Sequence, residues 1–529
     1  GVLVFLAVYG VRVLDPTSVD WILNSLSPDP IQHYLGWELF RRSPVHLPYI
    51  GANYNAVYPF RTSVLFTDSL PLAALFFKLL GGILPTRFQY FGWWGLLCYA
   101  LQGGLAQAVI ARIAGVQPTF GRDDRSKAAI AIIMSPGQTA KLWGSVLGAG
   151  VLVLFPALTI RMFAHTALAA NWLVLLALYL WLRSDELMPT TRRACLIWGG
   201  MGLLCAGIHL YYLPMVGLVL VGYAVRRALQ KRGPAAVLAP IAAFCAAALA
   251  ELVLLGAFAV NFAGYSNGYL SGADYFGLFV PWLAQSWEQN VYAGIGTSLA
   301  VVLAVFGIVC NARKAEKFFA AHRDWLIAGA VVLVLDLIAA GGNAITVDGK
   351  TLFTVPIPQF LMNFWAMFSS CARLAWLAGM LLAAVGCGLV LRFWDNGVAP
   401  ALMLAVCAVA QGCGQRIRRT AVVIRLTGEG RLQIADCNIG RADNGSRAAQ
   451  NVRKIIAAAL SGCLQQFVGD ADVADGAERR HCRVAARRFG LCGRVAAAAA
   501  EQRQRKAERQ KRRSASAKIT GQDEILQSK

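Results

Sequence analysis

Charge is scarce in this chain. Only 15% of its 529 residues are Asp, Glu, Lys or Arg, against about 25% in an ordinary soluble domain, while 57% are hydrophobic and the mean hydropathy is +0.53. A water-exposed globular surface is thereby excluded over most of the length, and a polytopic membrane protein is expected. Cysteine pairing is lacking too. The thirteen cysteines are scattered, many in apolar runs such as those of Cys205, Cys245 and Cys387, so they read as small core residues and not as a disulfide or zinc framework. Internal repeats are not evident, which withdraws support from the paired halves of secondary transporters. No Lys or Arg occurs between Arg232 and Arg313, and after residue 400 the only aromatic residues are Phe467 and Phe489.

What is present is a series of apolar runs. A span needs about 20 apolar residues, and candidates lie near 1–14, 66–84, 91–111, 143–160, 167–182, 196–225 (long enough for a pair), 235–256, 292–312, 325–341, 374–393 and 398–411. These predict an all-α bundle of about ten to twelve membrane segments over residues 1–411. The chain opens at Gly1, already apolar and without a basic n-region, so a truncated first helix is expected in place of a signal peptide.

Basic loops mark the cytoplasmic side. Three are clear: Arg183 with Arg192 and Arg193; Arg226, Arg227, Lys231 and Arg232; and Arg313, Lys314, Lys317 and Arg323. The stretch 257–291 is then external, and the same parity puts the turn at His165, the turn at His209, Tyr211 and Tyr212, and the loop 342–371 outside. Loop 112–141, with Arg112, Arg122, Arg125, Lys127 and Lys141, reads as cytoplasmic. Loop 15–65 therefore lands outside only if one intervening run fails to cross. The run 66–84, which holds Lys78, is the one expected to be re-entrant or surface-lying.

Residues 412–529 differ in character. From 411 onward there are 24 Lys and Arg against 11 Asp and Glu, thirteen of the chain's net +22, with too few large apolar groups to bury a core. The tail reads as disordered. It is either a polybasic segment drawn to anionic lipid, a nucleic-acid-binding arm, or sequence outside folding selection such as a frame-shifted end. The last fits its Ala- and Arg-rich stretches best, no function is assigned to it, and a nucleic-acid partner is not expected.

The stretch SPDPIQHYLGW, Ser27 to Trp37, stands out in the first external loop. Asp29 sits where an N-cap belongs and Pro30 where the first helical residue belongs, which puts His33 and Trp37 four apart on one face. In one reading Asp29 is only a cap, Trp37 an interfacial anchor and His33 a satisfied neighbour. In the other, Asp29 is a general base and His33 its partner or a ligand to a divalent ion. Asp68 follows at the mouth of the next apolar run.

The run WILNSLSPDPIQHYLGWELFRRSP, continuing through GANYN, FTDSLPLAALFFKLLGG and FQYFGWWGLLCYALQGG, resembles a little-characterised bacterial family of polytopic membrane proteins related to the GT-C glycosyltransferases. LFPALTIRMFAHTALAANWLVLLALYLWLR and FSSCARLAWLAGMLL extend the resemblance to about residue 400. It implies a multi-pass protein of the bacterial inner membrane that moves a sugar, on the external face, from a polyprenyl-phosphate-linked donor to a glycan, lipid or protein acceptor of the cell envelope. Asp29 is the position matching the family's acid in the first external loop. Where a second external acid is expected this chain has His165, so a site of Asp29 and His33, with Asp68 and His165 as the second acidic or polar pair, is implied. A divalent metal, Mg or Mn, would then be held by Asp29 and His165.

Such a transfer also needs a cation for the departing lipid phosphate and surfaces for a sugar. Arg161 and Arg373, each at the outer end of a helix, are the candidates for the first. Tyr265, Asn267 and Trp282, with Tyr275 and Trp287, are candidates for an acceptor groove, although an aromatic belt is the commoner role for such residues. Two other classes compete: a flippase or exporter of lipid-linked glycans, and a non-catalytic envelope assembly subunit. A transporter places ionisable residues inside its spans, and Lys78, Glu251 and Asp336 are the main ones here.

Overall fold

The computed structural model describes residues 1–25, 28–57, 60–116, 119–122, 130–133, 135–259, 270–279, 291–347, 350–394 and 397–414. The expectations for Tyr265, Asn267, Trp282, Trp287 and the basic tail beyond 414 lie outside the described residues.

Helix dominates what is described. The chain runs through α1 (Val2–Tyr9), α2 (Asp20–Leu23) and α3 (Pro28–Arg42), a hairpin of β1 (Ala52–Val57) and β2 (Phe60–Ser63), then α4 (Pro71–Leu79) and α5 (Phe91–Ala114). A second hairpin, β3 (Thr119–Arg122) with β4 (Ile130–Ile133), precedes α6 (Pro136–Val153), α7 (Pro156–Arg161), α8 (Trp172–Leu182) and α9 (Ser184–Leu187). Then come α10 (Thr191–Ile208), α11 (Tyr212–Leu229), α12 (Pro234–Leu254), α13 (Ile295–Cys310), α14 (Ala312–Ala321) and α15 (Arg323–Gly341). A third hairpin, β5 (Ala344–Val347) with β6 (Lys350–Thr354), leads to α16 (Gln359–Trp365), α17 (Trp376–Phe393) and α18 (Ala399–Gly414). All three hairpins are antiparallel.

Local chemistry sets many of these boundaries. Proline occupies the first turn of α4, α6, α7 and α12, where its missing N–H costs nothing and its fixed φ suits the helix. Ser135 and Thr190 accept backbone N–H bonds from Gln138 and Arg193, both at 3.3 Å, and so cap α6 and α10. Gly115 ends α5 in the left-handed conformation.

Among the described residues, five helices are long and apolar enough to cross a membrane: α5, α11, α12, α15, and α17 with the turn before it (Cys371–Phe393). The pair α13 and α14, bent by 104°, makes six if it is one span, and Thr166–Leu182 and Ala399–Cys413 are shorter apolar helices. The protein is thus a mostly helical membrane protein with five or six candidate spans by this measure, fewer than the ten to twelve segments expected from the sequence. The run 196–225 does resolve into a pair, α10 and α11, with a turn at His209.

Two local expectations need correction. Helix α3 begins at Pro28, two residues earlier than expected, so Asp29 lies in its first turn and is not its cap. Proline is itself a good first helical residue, and an acid in the first turn still opposes the helix dipole. Trp37 is fully buried and donates its indole N–H to the Phe88 carbonyl at 3.0 Å, so it is a core residue and no interfacial anchor.

The two ends of the helices differ in chemistry. At one, Arg226 and Arg227 close α11 and grip Asp185 at 2.7 and 2.9 Å, Arg226 also reaches Asp324 at 2.9 Å, and Arg112 at the end of α5 pairs with Glu186 at 2.6 Å. At the other, the β1–β2 hairpin is tied to the end of α12, where Ser63 Oγ donates to the Leu255 carbonyl at 2.6 Å and the Gly51 N–H to that of Leu254 at 3.3 Å. Between α3 and α5 the nine residues of α4 rise only about 14 Å, well short of a hydrocarbon core of about 30 Å. Cysteines introduced at the exposed positions Gln32 and Ile83, in a background without other reactive thiols, should therefore react with a membrane-impermeant maleimide from the same side. Reaction from opposite sides would mean that α4 and its flanks cross.

Candidate functional site: a carboxylate among three imidazoles

Asp68 occupies a sharp turn between β2 and α4. Its φ is +52° and that of Leu70 is +56°, left-handed backbone that an L side chain adopts only when its surroundings over-determine it. Those surroundings are α3 and α5. Ser69 Oγ donates to the His33 carbonyl at 2.7 Å and lies 2.8 Å from Thr67 Oγ1, while the Tyr90 hydroxyl donates to the Ser69 carbonyl. Helix α3 rests directly on this turn at Gly36, where an added Cβ would come within 2.5 Å of Thr67 Cβ and 2.6 Å of Ser69 Oγ. Glycine is what lets helix and turn approach closely enough for His33 to reach Asp68.

Three imidazoles converge on the Asp68 carboxylate. His33 Nε2, from the buried face of α3, lies 3.5 Å from Oδ2. His165 Nδ1 lies 3.4 Å from the same oxygen, and its Nε2 lies 3.3 Å from Asp29 Oδ2. His209 Nε2 lies 3.2 Å from Oδ1. The hydrogen bonds assign the His209 tautomer: the Tyr211 N–H donates to Nδ1 at 3.2 Å, so Nε2 carries the proton and donates to Asp68. Burial pushes the Asp68 carboxyl up, but the neighbouring imidazoles of His209, His165 and His33 outweigh it and hold the group well below the usual carboxylate range.

The other two imidazoles reach the site on turns at helix ends. His165 follows α7 and a left-handed Phe163 (φ +58°), with its N–H on the Arg161 carbonyl at 2.9 Å. The turn beyond it is tied down by Trp94 Nε1, which donates to the Thr166 carbonyl at 3.2 Å, and by the Tyr212 hydroxyl, which donates to that of Leu168 at 2.6 Å. His209 is the hinge between α10 and α11. Gly207, two residues before it, accommodates the Leu72 side chain of α4, whose Cγ would lie 2.3 Å from a Cβ there.

The structure therefore unites Asp29, His33, Asp68 and His165, which the sequence reading names as two pairs linked by Asp29 and His165 as metal ligands. Arg373 stands one layer back, its guanidinium 4.8 Å from the Tyr211 ring, and that ring is 5.5 Å from His209. Arg161 is buried one turn before His165, with its guanidinium 5.7 Å from the Trp376 ring at the start of α17. Tyr275, with its hydroxyl donating to the Leu337 carbonyl at 2.8 Å, is committed to α15. His209 is the member that sequence reasoning left out of the site. Its signal was a polar residue at the midpoint of a double-length apolar run, on the same side as His165.

The profile of a family described as "Domain of unknown function (DUF6311)" matches residues 1–415. The chain belongs to this family. No curated protein and no solved structure matches it. The match takes in every residue of the His–Asp cluster and ends one residue beyond α18.

The Gly36 contact gives a direct test of how the cluster is held. Gly36→Ala must displace Thr67 and Ser69, and overpacking of this kind costs about 1–3 kcal/mol. Gly104→Ala, in α5 with nothing within 4 Å of the new methyl, should be neutral or stabilising. Thermal unfolding in detergent followed by tryptophan fluorescence should separate the two, and equal midpoints would show that the α3 contact is not tight.

Proposed function

We propose that this protein is a membrane glycosyltransferase of GT-C type. It would transfer a sugar from a polyprenyl-phosphate-linked donor to a cell-envelope glycan, lipid or protein acceptor on the external face of the bacterial inner membrane. In this reading α6, α8, α10 and α18 join the more apolar long helices in a bundle of about ten to twelve segments.

The observation that carries the proposal is the position of Asp29. Its carboxylate, a third exposed, is the most open member of a half-buried His–Asp cluster in which His33 alone is fully buried, and His165 holds one of its oxygens. The cluster lies at the end of α11 opposite the Arg226–Arg227 clamp, which is the external end if basic residues face the cytoplasm. The first turns of α8, α11 and α17 follow His165, His209 and Arg373 there, and helix N-termini favour anions such as phosphate.

The chemistry balances with these groups. Asp29 takes the proton of the acceptor hydroxyl, the acceptor oxygen bonds to the anomeric carbon, and the bond from that carbon to the phosphate oxygen breaks. The lipid phosphate leaves with the electron pair, its charge met by Arg373 and Arg161, and a single displacement inverts the anomeric centre. A carrier is favoured less because two of the three ionisable groups named within the apolar runs are engaged structurally. Asp336 accepts the Ala378 N–H at the start of α17 at 2.9 Å, and Lys78 donates to the Phe40 carbonyl at 2.9 Å.

Replacing Asp29 by Asn removes the base while keeping the shape. Transfer should fall about 10²–10⁴-fold, and undecorated acceptor glycan should accumulate in cells that make normal amounts of the variant. Full retention of glycan modification would take Asp29 out of the base role and return the carrier and assembly-subunit readings to the front.

A further inference from the structure

The His–Asp cluster has the donor arrangement of a metal centre whose ligands differ from those the sequence suggested. We infer that Asp68, His33 and His165 form an open, zinc-type divalent metal site, with Asp29 and His209 as the groups that orient its ligands.

The first argument is geometric. Asp68 Oδ2 faces His33 Nε2 at 3.5 Å and His165 Nδ1 at 3.4 Å, and the donor atoms of these three residues lie within 4.8 Å of one another. A tetrahedral ion with bonds of about 2.0–2.1 Å sets its ligand atoms about 3.3–3.4 Å apart. The two edges that share the carboxylate oxygen already have nearly that length.

The second argument is the pattern of protons. A metal-bound histidine commonly donates its other ring N–H to a carboxylate, which fixes its tautomer and orientation. His165 has that partner in Asp29, 3.3 Å from Nε2, which leaves Nδ1 with a lone pair directed toward Asp68 Oδ2. His209 cannot be a ligand through Nε2, because its Nδ1 already accepts the Tyr211 N–H. It serves instead as the donor that holds Asp68 Oδ1 and turns Oδ2 toward the ion. Every polar contact around Asp68 thus divides its two oxygens between one fixed hydrogen bond and one metal-facing edge.

Charge gives a third argument. With the imidazoles uncharged, as ligation requires, Asp29 and Asp68 contribute −2 to a largely buried cluster. A divalent cation offsets that charge, which burial would otherwise penalise heavily.

The donor set also selects the ion. Imidazole suits zinc, iron, nickel and copper, whereas magnesium and manganese prefer carboxylate, carbonyl and water. Two imidazoles and one carboxylate leave a coordination position open, the arrangement of catalytic and not structural zinc sites. A phosphate or hydroxyl oxygen is the class of ligand that would fill it.

This assignment stands apart from the transferase reading and is tested without any transfer assay. The full chain, purified in detergent without a polyhistidine tag and stripped with a chelator, is dialysed against Zn²⁺ or Co²⁺ and its metal content measured by mass spectrometry. One ion per chain is expected. His33→Ala and His165→Ala should each weaken binding by at least about tenfold, while His46→Ala, on an exposed residue outside the cluster, should keep one ion. Because an alanine variant could fold poorly, His165→Cys with Co²⁺ gives a second reading: a thiolate-to-cobalt charge-transfer band appears if position 165 is a ligand. Absence of a stoichiometric ion in the wild-type chain overturns the site, as does unchanged zinc content in a folded His33→Ala, His165→Ala double variant. A chain that binds the ion yet decorates no acceptor would count against the transferase reading alone.

Discussion

A carboxylate taken out of water must be met by donors or by a cation, because leaving it unpaired costs more than most folds can spare. At Asp68 that requirement binds together segments far apart in sequence: α3 through His33, the turn after α7 through His165, and the α10–α11 hinge through His209. The rest of this end of the protein is arranged to keep the carboxylate in reach. Gly36 removes a side chain so that α3 can rest on the turn, Tyr90 and Ser69 hold that turn's backbone, and left-handed conformations at Asp68, Leu70 and Phe163 aim the groups that follow. Only six histidines occur in 529 residues, and three of them surround this one acid.

Much of this was legible in the sequence, but unevenly. Apolar runs announce membrane helices by composition alone, so the helical class and the pairing of α10 with α11 could be read directly. The number of spans could not, since hydropathy separates α5, α11, α12, α15 and α17 from helices such as α6 and α10, which match the 18 residues of α11 but are more polar at one end. The start of α3 was misplaced by two residues because two prolines flank Asp29, and each is an acceptable first residue.

The site residues are legible one by one in the sequence, but their convergence on a single carboxylate is not. Asp29 and His33 pair in the sequence because they share a helix, while Asp68 with His165 follows from the resemblance, His165 standing where a second external acid is expected. Their union depends on contacts between residues 35 to 136 apart in the chain (His33–Asp68 to Asp29–His165), which no local spacing encodes. His209 escaped for the same reason: in the sequence it marks a turn, and only the fold brings that turn to Asp68. Asp29 and His165, the pair that the resemblance implies for a metal, lie 3.3 Å apart in the structure.

One feature of α11 ties the two faces of the protein together. His209 precedes it by three residues and holds Asp68, while Arg226 and Arg227 near its far end hold Asp185 and Asp324. Its 18 residues measure about 27 Å, and a slip of a single residue, about 1.5 Å along the axis, would break the contacts at both ends. The helix works as a gauge rod of fixed length, so the depth of the His–Asp cluster below one surface is set by a clamp anchored at the other.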